Sequence, residues 1–167
     1  GQLPVGIRPG AVAADGDSVW IANRDDQTLT RIDVRTRKVV RTIALNATPT
    51  GIAAGDGSVW VAEGPAGALA RVDPAYDRVT ETLRNLTGPV RVSGTPTGSV
   101  AVGAGAVWAA YGNSTVVRVD PNTTRAVKTD FAGFSASAIA YGAGAVWVAN
   151  QAQNTVSRLS PITNRKI

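Results

Sequence analysis

Cysteine and histidine are both missing from this 167-residue chain. Without cysteine there is no disulfide, no thiolate metal site and no cysteine nucleophile, and the redox compartment is left open. Without histidine the commonest general base and the commonest metal ligand are gone. The only glutamates are Glu63 and Glu81, so hydrolytic chemistry would have to come from a carboxylate pair or a metal. Methionine is absent as well, which leads us to expect a processed product, an excised domain or a piece of something longer. No apolar run approaches the roughly 18–20 residues that a membrane-spanning helix needs, so membrane insertion is not expected. No segment carries an i, i+3, i+4, i+7 stripe of helical length.

What is present fits a folded protein with a sizeable core: 44% of residues are hydrophobic and 17% charged. The formal net charge is +5, with 14 Arg against 3 Lys. The basic residues are spread along the chain, with one denser run at "RIDVRTRKVVR" (Arg31–Arg41). A nucleic-acid binder gathers such residues on one face and interleaves aromatics for stacking. Aromatics make up only 5% here, and four of them have another place, so nucleic acid is not favoured as a partner.

Those four are Trp20, Trp60, Trp108 and Trp147, at successive intervals of 40, 48 and 39 residues. Each stands in a near-copy of one phrase: "DGDSVWIAN", "GDGSVWVAE", "GAGAVWAAY" and "GAGAVWVAN". Ten or eleven residues later comes an arginine (Arg31, Arg71, Arg118, Arg158), and two further on Asp33, Asp73, Asp120 and, breaking the pattern, Ser160. The chain is a tandem repeat of about 40 residues.

Within one repeat every local signal is β. The first reads as four strands, "GAVAAD", "SVWIAN", "TLTRIDV" and "KVVRTIAL", each a short or alternating apolar run ended by turn residues. The Gly-containing joints "DGD", "GDG" and "GAG" predict tight antiparallel hairpins. Four antiparallel strands per unit predict an all-β β-propeller of four blades. The predicted blades are 7–46, 47–94, 95–134 and 135–167, with residues 1–6 completing the last. The recurrent Trp20, Trp60, Trp108 and Trp147 are expected to wedge between blades, each ring removing on the order of 200 Å² from water. The Arg-x-Asp pairs are expected to form a structural ladder of charges rather than catalytic dyads.

The unit "GAGAVWVANQAQNTVSRLSPITNRKI" resembles the bacterial YVTN-type propeller repeat and the related virginiamycin B lyase-like propellers, and the likeness runs over essentially the whole chain. The resemblance implies a propeller scaffold, in a setting of secreted proteins, solute-binding proteins and sensor modules. The lyase of that group works with a His base, a Glu and bound Mg²⁺. This chain has no His, so the resemblance implies the scaffold without the catalytic part, with no cofactor and no metal site.

Four blades sit at the lower limit of the range of about four to eight. Three arrangements fit: a closed four-bladed ring, a homodimer completing an eight-bladed ring, or part of a larger propeller; a closed assembly is expected, of one chain rather than two. Functional residues in a repeat are expected where the copies differ. On the face with the interblade crossovers stand Arg8, Thr50, Thr97 and Ser137, together with the residue three after each Trp: Asn23, Glu63, Tyr111 and Asn150. Arg24 adjoins them, and the long interval contributes "NLTGPVRVSG" with Arg91. Arg8, Asn23, Arg24, Glu63, Arg91, Tyr111 and Asn150 are therefore the candidate binding set, for a protein, peptide, glycan or small anion. The functional expectation is a non-catalytic, extracytoplasmic binding, sensor or scaffold module. The alternative is a lyase- or quinoprotein-like enzyme acting on a small molecule.

Overall fold

A computed structural model of the chain describes residues 1–64, 67–86, 98–112, 115–129, 133 and 135–167. Over these residues the fold is four antiparallel sheets in chain order. The first is β1 (Pro9–Asp15), β2 (Ser18–Asn23), β3 (Thr28–Asp33) and β4 (Lys38–Ala44). The second is β5 (Pro49–Gly55), β6 (Ser58–Glu63), β7 (Ala68–Asp73) and β8 (Arg78–Leu83). The third is β9 (Gly98–Gly103), β10 (Ala106–Tyr111), β11 (Thr115–Val119) and β12 (Ala126–Lys128). The fourth has three strands, β13 (Ala136–Gly142), β14 (Ala145–Asn150) and β15 (Thr155–Leu159). A short 3₁₀ turn, Gln151–Gln153, links β14 to β15.

The Gly-containing phrases make two-residue hairpins, with Asp15 paired to Ser18, Gly55 to Ser58, Gly103 to Ala106 and Gly142 to Ala145. In the second hairpin both loop residues, Asp56 and Gly57, have positive φ (51° and 72°). That is the mirror-image turn whose twist matches the strands it joins.

The first strands of successive blades pack on one another, β1 on β5, β5 on β9 and β9 on β13. Small side chains allow this approach: a Cβ on Gly51 would collide with the Gly98 carbonyl of the next blade. Away from this inner line, each joint is one apolar cluster shared by two blades. Trp20, Leu29, Ile43 and Leu45 of the first blade pack with Ile52, Val59, Val61 and Val72 of the second. Trp60, Leu69 and Leu86 meet Val100, Val107, Ala109 and Val119. Trp108 and Val116 meet Ile139, Val146, Val148 and Leu159. The tryptophan of each of the first three blades thus points forward, onto the blade that follows.

Among the described residues, no blade covers the fourth tryptophan. Trp147 is 38% exposed, whereas Trp20, Trp60 and Trp108 are at most 1% exposed. Among the described residues, no strand of the fourth blade packs extensively on a strand of the first. Over the described residues the blades form an open arc. Residues 1–6 accordingly do not complete the last blade; they form no strand, and Gly1–Leu3 lie beside Val19 and Ile32 of the first. Among the described residues, the outer edge of β15 is met by a single bridge, from Leu159 to Lys166.

Candidate binding face

The residue three after each Trp ends the second strand, and pairing places it opposite the start of the first: Asn23 with Pro9, Glu63 with Pro49, Tyr111 with Gly98, Asn150 with Ala136. All four therefore lie at the crossover end of their blades. Their side chains, however, point inward, with relative exposures of 0%, 0%, 4% and 2%.

Each is occupied in holding the blade together. Asn23 Nδ2 donates to Thr28 Oγ1 (3.0 Å) and Thr30 Oγ1 (2.9 Å) of its own third strand. Asn150 Nδ2 repeats the arrangement with Thr155 (3.2 Å) and Ser157 (2.9 Å). Glu63 Oε1 accepts the Asn46 backbone N–H (3.1 Å), which ties the crossover from β4 down onto the second blade. Tyr111 donates its hydroxyl proton to the Ala68 carbonyl (3.0 Å) across the joint between the second and third blades. Burial raises the Glu63 carboxyl above its ordinary range, opposed by the Asn46 N–H and the Arg84 charge. Burial, with the Glu63 charge nearby, also pushes the Tyr111 phenol up. One oxygen on each of Asn23, Glu63 and Asn150 is buried without a hydrogen-bond partner.

Arg8 and Arg24 remain as the surface charges of the set. Arg8 lies in the crossover before β1 in left-handed backbone (φ 55°), and its carbonyl accepts the Arg24 N–H at 3.0 Å. Its guanidinium reaches Asp25 at 3.5 Å, with side-chain exposures of 69% and 48%. The Arg24 side chain is half-buried and lies over Gly10, where a Cβ would collide with it. Asp26 Oδ2 accepts the Ile7 N–H at 2.9 Å and pins the same loop. Thr50 and Ser137 donate within their own blades, to the Ala62 (3.2 Å) and Ala149 (3.4 Å) carbonyls. Arg91 and Thr97 lie outside the described residues. Among the described residues, no three carboxylates gather where they could hold a metal ion.

The recurrent arginines have a structural task of their own. Arg31, Arg71, Arg118 and Arg158 are the cross-strand neighbours of the four tryptophans and lie over their rings at 5.1, 5.4, 5.9 and 5.7 Å. Arg31 then reaches into the next blade, donating to the Pro74 carbonyl (2.7 Å) and to Asp77 (2.9 Å). Arg71 likewise reaches the Pro121 carbonyl (3.0 Å).

The aspartates of the Arg-x-Asp pairs do not join a ladder with these arginines; they close turns. Asp33 Oδ1 accepts from Thr36 N–H (2.7 Å), Asp73 from Ala75 N–H (2.8 Å) and Asp120 from Asn122 N–H (2.8 Å). These backbone hydrogen bonds hold the Asp33 and Asp120 carboxyls below their ordinary range. Ser160 does the same job with its hydroxyl oxygen, accepting from Ile162 (3.3 Å) and Thr163 (3.2 Å). The forward reach of the arginines was not legible in the sequence, because its acceptors are turn carbonyls in another repeat. The signal available was the recurring order of Trp, Arg and, in three of the four repeats, Pro (Pro74, Pro121, Pro161).

Comparison with solved structures places this architecture among β-propeller-like folds. The chain superposes on the hydrazine synthase of Kuenenia stuttgartiensis with TM-score 0.76 and 14% identity, over 99% of this chain and 49% of that one. It thus spans about half the length of that protein. The computationally designed Ika4 protein matches at TM-score 0.76 and 15% identity, with 95% of both chains covered. The designed Ika8 protein matches at TM-score 0.72 and 15% identity, over 96% of this chain and 49% of that one. At these identities the likeness concerns the fold alone. No curated protein matches the sequence. A family model for a repeat of unknown function, DUF6923, matches residues 2–109, and the chain belongs to that repeat family.

Proposed function

We propose that the chain is a non-catalytic binding module, in which rigid propeller blades present the crossover face to a partner. The observation that carries this reading is the division of labour around that face. Asn23, Glu63, Tyr111 and Asn150 are buried and spent on fixing the loops. Arg8 and Asp25, by contrast, stand out in solvent, more than half and nearly half exposed, in one weak pair. A loosely paired guanidinium on a fixed loop suits exchange of its carboxylate partner for a ligand anion. With a net charge of +5, an acidic peptide or a small anion is the chemistry the face fits best. The likeness of the repeat phrase to YVTN-type and virginiamycin B lyase-like propellers supports placing the module outside the cytoplasm, as a sensor, scaffold or accessory unit.

Thermal-shift and titration measurements against sulfate and a polyglutamate peptide test this reading. Stabilisation by either probe, lost in the Arg8→Ala/Arg24→Ala double variant, is the expected result. Binding that persists in that variant, or no response to either probe, would refute the assignment.

A further inference from the structure

We propose that the end of the blades opposite the crossovers carries a belt of arginine and lysine that binds a flexible acidic polysaccharide. The belt is a second surface, and its occupancy is independent of what binds at the crossover face.

The belt begins in the turn between the third and fourth strands of the repeat. Aligned on the acceptors Asp33, Asp73, Asp120 and Ser160, the four turns reach a basic residue at the same place: Lys38, Arg78, Arg125 and Arg165. The residue before it is in left-handed backbone every time, with φ of 55°, 50°, 54° and 58° at Arg37, Asp77, Thr124 and Asn164. A shared turn geometry therefore delivers each cation to the same position on its blade, and all four are exposed. The first turn adds exposed Arg35 and Arg37, which is why Arg31–Arg41 is the densest basic run of the sequence. Arg78 and Arg125 belong to the second and third blades, each with a blade packed on either side. The belt thus does not depend on the end faces of the arc.

Other charges at this end already have partners in the fold. Asp33, Asp73 and Asp120 accept turn N–H groups, Asp77 pairs with Arg31, and Arg71 holds the Pro121 carbonyl. Among the described residues, no carboxylate forms an ion pair with Lys38, Arg78 or Arg125. Arg78 lies over the Tyr76 ring at 5.3 Å. These recurrent charges offset no carboxylate within the described chain, so their fields act outward.

Their layout selects the occupant. Packed sheets stand about 10 Å apart, and the rim lies outside the packed core. Neighbouring cations of the belt are therefore separated by at least about one Debye length at physiological salt. A small anion meets one of them at a time, whereas a polymer charged along its length meets several and gains by linkage. A flat anionic bilayer is a poorer match, because the inner hairpins at the same end expose Asp15, Asp17 and Asp56. Those carboxylates repel a sheet of like charge but leave a thin chain free to lie on the rim. Duplex DNA, with a persistence length of about 50 nm, is too stiff to follow an arc built by one chain of this length. Single strands rely on aromatic platforms for their bases. Tyr76 is the one aromatic in the four turns, and Arg78 already covers a face of its ring. An acidic polysaccharide is flexible, charged along its length and free of bases, which is what the belt fits.

Heparin is the probe, titrated onto the 167-residue chain by calorimetry at low and at physiological salt. Binding is expected, with an affinity that falls as salt rises. Lys38→Ser/Arg78→Ser/Arg125→Ser removes one cation from each of three blades at exposed turn positions. It should weaken binding about tenfold or more and reduce the slope of log affinity on log salt by about two. Circular dichroism should show this variant folded, and its response to sulfate should match that of the original chain. Arg8→Ala/Arg24→Ala, altered at the opposite end, should bind heparin undiminished. Because both variants meet both probes, a failed belt leaves the crossover-face result standing, and the reverse. Absence of heparin binding at low salt, equal binding by the belt variant, or a loss shared by Arg8→Ala/Arg24→Ala would overturn the proposal. So would duplex DNA or phosphatidylserine vesicles that bind as tightly as heparin and lose affinity in the same belt variant.

Discussion

The second blade and the fourth are built from nearly the same phrase, yet they sit in different surroundings. Trp60 is wholly buried, while Trp147, at the corresponding position and with the same arginine stacked on it, is more than a third exposed. Hydrogen bonding within the blade does not account for the difference, since the Trp147 indole N–H is satisfied by the Gly142 carbonyl at 3.0 Å while that of Trp60 has no partner. What separates them is the presence of a following blade. A repeat of this kind takes most of its stability from its neighbours rather than from its own sheet.

The strongest way to break the comparison is to truncate both rings. Trp60→Ala should cost about 3–5 kcal/mol, the range for removing a large aromatic from a packed core. Trp147→Ala, measured by urea unfolding, should cost under about 1 kcal/mol. Equal losses would mean that the joints do not carry the stability.

A second test turns on Glu63, whose place is taken in both end blades by a buried asparagine, Asn23 and Asn150. Its folded-state affinity for the proton is raised by burial. The folded chain therefore holds that proton more tightly than the unfolded one, and stability is lost as pH climbs through and above the ordinary carboxyl range. Asp33 and Asp120 act in the opposite sense, since their lowered values give stability that is lost as pH falls below that range. Glu63→Gln should flatten the upper slope and leave the acid limb unchanged. A melting profile in which the upper slope survives would assign it to another group.

The smallest effect sharpens the comparison at the turns. Ser160→Asp gives the fourth blade the acceptor that the other three use, with the Ile162 and Thr163 N–H groups already in place. A rise of a degree or so in melting temperature is expected, abolished at acid pH. A fall would mean that the fourth turn differs in more than its acceptor.

Much of the architecture could be read before any coordinates. The strand boundaries in the first blade follow from alternation and from the Gly turns, because both are local. The buried set Asn23, Glu63, Tyr111 and Asn150 shows where local reading stops. Variation in chemistry at an element's end suggested exposure, but the crossover backbone folds over that position, as the Asn46 N–H on Glu63 demonstrates. The variation instead follows what each blade has nearby to bond: hydroxyls for the asparagines, a crossover N–H for the glutamate and a neighbouring carbonyl for the tyrosine. The open arc was hidden for the same reason. Spacing counts residues, and it carries no measure of how far each blade rotates from the last.

The forward-pointing tryptophan, and in the first two blades the arginine that reaches the next turn, give the unit a front and a back that fit each other. Such a unit resembles a tile with one socket and one plug. Copying it within a gene adds a piece that needs no new surface, which is how a protein of this kind can lengthen by duplication while each addition folds on arrival. The same property leaves one plug and one socket over at the two ends of any open run of such tiles. Lineages built from such tiles must either close the circle, cap its ends, or live with self-association as a standing consequence of growth.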